Sequence, residues 1–140
     1  MSDTPKQVLV RARNANLWID QIRTELAQLE QELQTLKSVD YSRPVVKLSS
    51  GRGDVETTAV RIAERHRQLE EDLEKQLEAR YRAMELISTL PAARDRVVLF
   101  HRYILAEEWS DVAKAAHYER RYCMRLSNEA IKKLTQENTG

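Results

Sequence analysis

The stretch WSDVAKAAHYERRYCMRLSNEAIKKL, residues 109–134, decides how this chain is interpreted. Its apolar residues recur at helical spacing on both sides of a short interruption near His117, which predicts two helices joined by a tight turn. From Glu119 to Leu134 there are five cations and two anions, although the formal net charge of the whole chain is only +1. Positive charge is therefore concentrated on the second of the two helices.

The second helix of this stretch has two chemically different sides. Residues at helical spacing on one side are apolar: Cys123, Leu126, Ala130 and Leu134. The other side is basic and polar, with Arg120 and Met124 as its flanks: Arg121, Arg125, Asn128 and Lys132. A helix that enters the major groove of DNA needs one face for packing and one face for phosphates and base edges, so the division indicates a DNA-binding helix-turn-helix.

The rest of the chain is typical of long helices. Ala, Glu, Lys, Leu and Arg account for 68 of the 140 residues, and Pro and Gly are too few to interrupt residues 6–43, 54–90 or 92–139. In the first of these stretches, apolar residues alternate in spacing between four and three over about four heptads, which predicts a coiled-coil seam. That seam comprises Val8, Ala12, Ala15, Ile19, Ile22, Leu26, Leu29, Leu33 and Leu36.

The second stretch supplies a partner for this seam, with a drift in register at its end. The predicted partner positions are Ala59, Ile62, His66, Leu69, Leu73, Leu77, Tyr81 and Met84. A loop of about 38–54 separates the two helices, and Asp54 of the Arg-Gly-Asp tripeptide is expected to cap the second helix. Similar helix lengths favour an antiparallel hairpin within one chain, and pairing between chains is the alternative.

After the second long helix, which we expect to end near Thr89, three shorter helices are predicted at about 91–105, 109–116 and 119–136. Pro91 suits the first turn of the first of them, because a proline there sacrifices no helical hydrogen bond. The expected fold is all-α, with a long hairpin or coiled coil in residues 1–89 and a three-helix helix-turn-helix domain in residues 90–140.

Residues 90–134 resemble the helix-turn-helix of sigma-factor region 4 type found in the RinA and ArpU group of small phage transcriptional activators. The residues that carry the resemblance are Arg96, Leu99, Arg102, Tyr103, Ile104, Trp109, Val112, Ala113, Tyr118, Arg120, Arg125, Leu126, Ala130 and Leu134. The chain departs from the family at His117, where glycine is usual, at Glu119, where serine is usual, and at Ala106, where glycine is common. The resemblance implies control of phage genes through DNA near promoters.

The candidate DNA-contacting residues combine the basic face with the positions that the resemblance places near the groove. They are Lys114, Arg120, Arg121, Tyr122, Met124, Arg125, Asn128 and Lys132. We expect double-stranded DNA as the partner, a homodimer or higher oligomer formed through the long helices, and a further contact with host RNA polymerase as an addition. The alternative is an adapter, such as a phage packaging or assembly component, whose C-terminal domain binds protein.

Enzymatic function is not expected, because the sequence has no glycine-rich phosphate loop, nucleophile elbow or metal-ligand cluster. No cofactor and no metal site are expected either. Cys123 is interpreted as a buried, inert thiol, Trp109 as a core anchor, and Tyr103 and Tyr118 as core residues whose hydroxyls reach the edge. Without a signal peptide or an apolar run of membrane-spanning length, we expect a soluble cytoplasmic protein with no membrane partner.

Overall fold

A computed structural model describes residues 3–38 and 51–139, and every regular element within these ranges is helical. In chain order they are α1 (Pro5–Lys37), α2 (Gly51–Ser88), α3 (Ala93–Leu99), a π-helical turn (Phe100–Ile104), α4 (Trp109–Ala116) and α5 (Arg120–Thr139). The predicted all-α class is confirmed. None of the helices in these ranges combines the length and the apolar character that crossing a bilayer requires.

Helix α1 begins with a capping box that the sequence analysis overlooked. The backbone N–H of Gln7 donates to Thr4 Oγ1 at 3.2 Å, and the backbone N–H of Thr4 donates to Gln7 Oε1 at 2.9 Å. Pro5 occupies the first helical position, where its missing N–H is no loss. Thr-Pro-Lys-Gln is therefore a start signal that could have been read directly from the sequence.

The predicted seam of α1 is confirmed, because all nine of its apolar positions are buried or half-buried. The seam of α2 was predicted wrongly at its C-terminal end: Leu77, Tyr81 and Met84 are 37%, 57% and 41% exposed. The alternating spacing of four and three instead continues without drift after Leu73. The buried or half-buried positions that continue it are Gln76, Arg80, Ala83, Ile87 and Leu90.

The predicted loop of about 38–54 lies largely outside the described residues, and its last part was predicted wrongly. Helix α2 begins at Gly51, so Asp54 is in the first helical turn and is not the N-cap. An acidic side chain in the first turn still interacts favourably with the positive end of the helix dipole. The Arg-Gly-Asp tripeptide is consequently helical.

The boundaries of the shorter helices agree with the predicted ones to within about three residues. Helix α4 matches its predicted limits of 109–116, whereas α3 begins at Ala93, two residues after Pro91. The guanidinium group of Arg96 donates hydrogen bonds to two carbonyl groups of this connection, from Nη1 to Leu90 O at 2.5 Å and to Pro91 O at 3.0 Å. Pro91 thus lies in the connection and not in the first turn of α3.

The chain divides into two compact units, Asp20–Glu74 and a second unit formed by Met1–Ile19 with Lys75–Gly140. This division differs from the sequence-based boundary at residue 90, because the beginning of α1 and the end of α2 share a core with the shorter helices. That core comprises Val8, Leu9, Ala12, Ala83, Ile87, Leu90, Leu99, Tyr103, Ile104, Ala130, Ile131 and Leu134. The unit Asp20–Glu74 has its own buried residues, Ile22, Ile62 and Leu69.

Candidate nucleic-acid interface

Helices α4 and α5 pack against each other through a small core beneath the candidate interface. Its fully buried members are Val98 of α3, Val112 of α4, and Cys123 and Leu126 of α5. Ala113 and Ala116 are packed at the edge of this core, where their small side chains let the two helices approach closely. Cys123 is completely buried, as predicted, and burial raises the pKa of its thiol.

The connection between α4 and α5 consists of His117, Tyr118 and Glu119. His117 has φ 60° and ψ 37°, which is the left-handed conformation that usually ends a helix at a glycine. The backbone N–H groups of His117 and Tyr118 both donate to Ala113 O, and Glu119 O accepts the first bond of α5 from the Cys123 N–H. The turn is therefore closed at both ends by backbone hydrogen bonds.

A second left-handed residue, Ala106, precedes α4 with φ 57°. It follows the π-helical turn, where the Leu105 N–H donates to Phe100 O at 3.0 Å. Left-handed geometry is unfavourable for a residue with a Cβ atom, so the surrounding packing must hold both positions.

Two side-chain interactions join α5 to α3 and α4 to the π-helical turn. Asp95 of α3 is 2% exposed, and its Oδ2 accepts a hydrogen bond from Lys133 Nζ of α5 at 3.5 Å. The Arg102 guanidinium stacks on the Trp109 ring of α4 at 4.5 Å and donates from Nη1 to Glu107 O at 3.1 Å. Burial, with a smaller contribution from Arg13, lowers the pKa of Arg102.

The basic side of α5 faces away from the core. Its residues at i, i+4, i+7 and i+11 are all exposed: Arg121, Arg125, Asn128 and Lys132. The opposite side of α5 is buried. It contains the four predicted residues, Cys123, Leu126, Ala130 and Leu134, and in addition Ser127 and Ile131. Because residues at this spacing share one side of a helix, the four polar groups form a single stripe, which we call the α5 basic stripe.

The guanidinium groups of this region are not consumed by contacts within the protein. Among the residues that the structure describes, the side chains of Arg120, Arg121 and Arg125 form no ion pair and no hydrogen bond. Within the described residues, Arg120 pairs neither with the neighbouring Glu119 nor with Asp111 of α4. These arginines can thus offer all their donors to an external anion.

The other candidate residues occupy different environments. Lys114 of α4 is exposed, and Met124 is 39% exposed beside the basic stripe. Tyr122 is half-buried against the small core, its hydroxyl accepts a hydrogen bond from Arg94 Nη1 at 3.2 Å, and its ring meets Tyr118 edge-on at 4.9 Å. Tyr118 was predicted as a core residue but is 41% exposed.

Residues 3–38 and 51–139 contain no group of three or more His, Cys, Asp or Glu side chains that could hold a metal ion. Ring nitrogens of His66 lie 3.0 Å from carboxylate oxygens of Glu30 and Glu70, and Nδ1 of His101 lies 3.0 Å from Oε2 of Glu107.

Comparison with protein-family models, with curated proteins and with solved structures produced no match to this chain.

Proposed function

We propose that this protein is a sequence-specific, double-stranded-DNA-binding transcriptional regulator in which α4 and α5 form a helix-turn-helix and α5 reads the major groove. The observation that carries the proposal is the α5 basic stripe, whose members are exposed on the side of α5 opposite its buried residues. Arginine suits this role because its planar fork can bind guanine O6 and N7 together or clamp a phosphate.

The charge around the stripe is suited to a polyanion. Five exposed cations of α4, α5 and their turn form no ion pair with the described residues: Lys114, Arg120, Arg121, Arg125 and Lys132. Four exposed acids lie on the same elements: Asp111, Glu119, Glu129 and Glu137. If each cation neutralised one phosphate, the logarithm of affinity would fall against the logarithm of salt concentration with a slope of about −4.5 for one head.

Because the chain resembles phage activators, we propose that it controls late genes of a phage or prophage. The left-handed backbone at Ala106 and His117 supports it, because these are positions where the family commonly has glycine. We further propose action in the cytoplasm, pairing of α1 with α2 within one chain, and a homodimer through the long helices. The pairing of α1 with α2 is supported by an ion pair between Glu25 and Arg65 at 3.4 Å. Contact with host RNA polymerase would be compatible with all of these.

The test is a gel-shift titration against the DNA that flanks the protein's own gene, repeated over a series of salt concentrations. Replacing Arg121 and Arg125 by glutamine should abolish the specific complex and, in the non-specific binding that remains, reduce the magnitude of the salt slope by about 1.8 for each head. Helicity should be unchanged, since both side chains are exposed and neither forms a hydrogen bond or an ion pair with the described residues.

A matched control removes the same charge elsewhere. Arg23 and Arg61 are exposed on α1 and α2, and their replacement by glutamine should leave specific binding intact. Equal affinity of the Arg121/Arg125 variant and the wild type would refute the proposed reading face. If the wild-type protein binds no DNA with a salt-dependent affinity, the alternative of a protein-binding adapter or packaging component becomes the better interpretation.

A further inference from the structure

Arg94 of α3 carries a guanidinium group that the fold holds beside the first turn of α5. Its Nη1 donates a hydrogen bond to the Tyr122 hydroxyl at 3.2 Å, and its Nε lies 3.8 Å from Oδ1 of Asp95. The side chain is nevertheless 48% exposed, and its Nη2 makes no hydrogen bond or ion pair with the described residues. Two internal contacts therefore fix the group, while its remaining donors are available to a molecule outside the protein.

The Tyr122 hydroxyl is a fixed acceptor for this hydrogen bond. The Tyr122 ring packs against the small core between α4 and α5, and it meets the Tyr118 ring edge-on with the ring centroids 4.9 Å apart. Tyr122 is the third residue of α5, so the guanidinium group of Arg94 lies at the N-terminal end of the proposed reading helix. Because the ring is held on two sides, loss of the hydroxyl alone would release Arg94 without disturbing the packing of α5.

The positive charge of Arg94 is only partly compensated by its acidic neighbour. Asp95 is 2% exposed, and its other oxygen, Oδ2, accepts a hydrogen bond from Lys133 Nζ at 3.5 Å. Two cations thus share one buried carboxylate, which leaves one positive charge in excess. The next acid along this side of α5 is Glu129, two turns after Tyr122 and about 10 Å away along the helix axis. The group therefore keeps an attraction for an external anion.

The position of this cation is unfavourable for α3 itself. Arg94 lies in the first turn of α3, where the positive end of the helix dipole repels a cation. The neighbouring surface of α5 offers a reason for it. Tyr122 precedes Arg125 by three residues, and residues at this spacing are neighbours on the surface of a helix. Arg94 thereby extends the α5 basic stripe sideways onto α3.

We propose that Arg94 anchors the protein to a phosphate of the DNA backbone at the edge of the groove that α5 enters, and that the Tyr122 hydroxyl positions Arg94 for this contact. A cation on the flank of a helix in the major groove meets the backbone, because the two backbones border the groove. Such a contact fixes the register of the protein and reads no sequence. Tyr122, which the sequence suggested as a DNA-contacting residue, is then a positioning residue. The inference rests on the proposed function, for which it names a backbone contact outside the helix-turn-helix.

The first experiment compares two replacements of Arg94 in gel-shift titrations against the specific site and against unrelated DNA of the same length. Arg94→Gln should weaken both complexes by the same factor of about 10, as loss of one charged hydrogen-bonding partner does. The magnitude of the salt slope should fall by about 0.9 for each head, because one phosphate is no longer neutralised. Arg94→Lys keeps the charge and should keep the slope, while losing part of the affinity with the planar fork.

The fold should survive both replacements, because Arg94 is exposed and Asp95 retains its hydrogen bond from Lys133. Urea denaturation checks this for each variant. The ratio of specific to non-specific affinity should stay at the wild-type value, since a phosphate contact is made equally to every sequence.

The second experiment tests the positioning role with a double-variant cycle. Tyr122→Phe removes one oxygen and keeps the ring, so it should weaken DNA binding about threefold, near the low end of the cost of ordering one long side chain. In a protein that already carries Arg94→Gln, the same change should cause no further loss of affinity. If the hydroxyl contacted DNA directly, its removal would weaken binding equally in both backgrounds, and the positioning role would be wrong.

Arg82 of α2 provides a matched control, because its side chain is 50% exposed and its Nη1 lies 4.0 Å from Oδ2 of Asp3. Arg82→Gln removes the same charge and a similar ion pair, and it should change neither the affinity nor the salt slope. Wild-type affinity and slope in Arg94→Gln, or a loss of sequence preference like that of the Arg121/Arg125 variant, would overturn this inference and leave the proposed function standing. A wild-type protein that binds no DNA would overturn both.

Discussion

Replacing His117 by glycine should stabilise the protein, although such a change within a helix would ordinarily destabilise it. His117 ends α4 with φ 60° and ψ 37°, and its exposed imidazole makes no hydrogen bond or ion pair with the described residues. Its backbone N–H donates to Ala113 O, a bond that glycine retains. The substitution therefore changes the cost of the backbone conformation and little else.

The magnitude follows from two opposing contributions. A residue with a Cβ atom pays about 1–2 kcal/mol in the left-handed region, and histidine lies near the low end because it is enriched there. Glycine loses more conformational entropy on folding, which offsets roughly 0.5–1 kcal/mol of that gain. The net expectation is an increase of about 0.5 kcal/mol in the free energy of unfolding. Ala106→Gly should add a similar amount, and a double variant doubles the signal.

The assay is urea denaturation followed by far-ultraviolet circular dichroism, with the slope of free energy against urea concentration unchanged. Lys114→Gly is the matched control, because Lys114 is exposed inside α4, and it should lower stability by about 0.8–1 kcal/mol. His117→Ala removes the imidazole while keeping the Cβ atom, so it should not stabilise. A loss of stability in His117→Gly as large as that in Lys114→Gly would refute the reasoning.

Three further predictions follow from buried or hydrogen-bonded groups. A hydrogen bond to Glu30, with a second one to Glu70, raises the pKa of His66 above its ordinary value of 6.5. Protonated His66 should therefore stabilise the fold fully below pH 6.5, and this contribution should be lost as the pH rises through the higher pKa of the folded state. His66→Gln should reduce the difference between the free energies of unfolding measured in urea at about pH 5.5 and about pH 8.5. Asp95→Ala should lower the free energy of unfolding by about 1–2 kcal/mol, because it removes the buried carboxylate that pairs with the half-exposed Lys133. If loss of this pair causes the destabilisation, adding Lys133→Met should recover part of it in the double variant. The Cys123 thiol should react with a disulfide reagent only on unfolding, because it is completely buried and burial raises its pKa; immediate labelling of the native protein would contradict its placement in the core.

The parts of the fold that repeat along the chain could be predicted from the sequence alone. Helical periodicity identified the seam of α1, the limits of α4 and the buried side of α5, because each depends on residues within a few helical turns of one another. The same periodicity separated the α5 basic stripe from the packed face. Thr4 and Gln7 would have located the start of α1 as well, since a capping box is a local signal.

Prediction failed where the interacting groups are far apart in the chain or chemically unusual for their position. Gln76 and Arg80 occupy the α2 seam, but a heptad position filled by a polar residue does not appear in an apolar pattern. The seam was therefore predicted at the apolar residues Leu77, Tyr81 and Met84. The partnership of Asp95 with Lys133, and that of Arg102 with Trp109, join elements whose relative placement no periodicity encodes.

The sequence by itself determined that the chain is helical, where its shorter helices lie, and that α5 has one packed and one basic face, because these properties arise from local spacing. Only the tertiary structure decided that Val8, Leu9 and Ala12 at the beginning of α1 complete the core of the shorter helices. It also decided that the arginines after the turn remain unpaired among the described residues. The physical reason is that burial and ion pairing depend on which surfaces meet, and those surfaces are brought together by the packing of the whole unit.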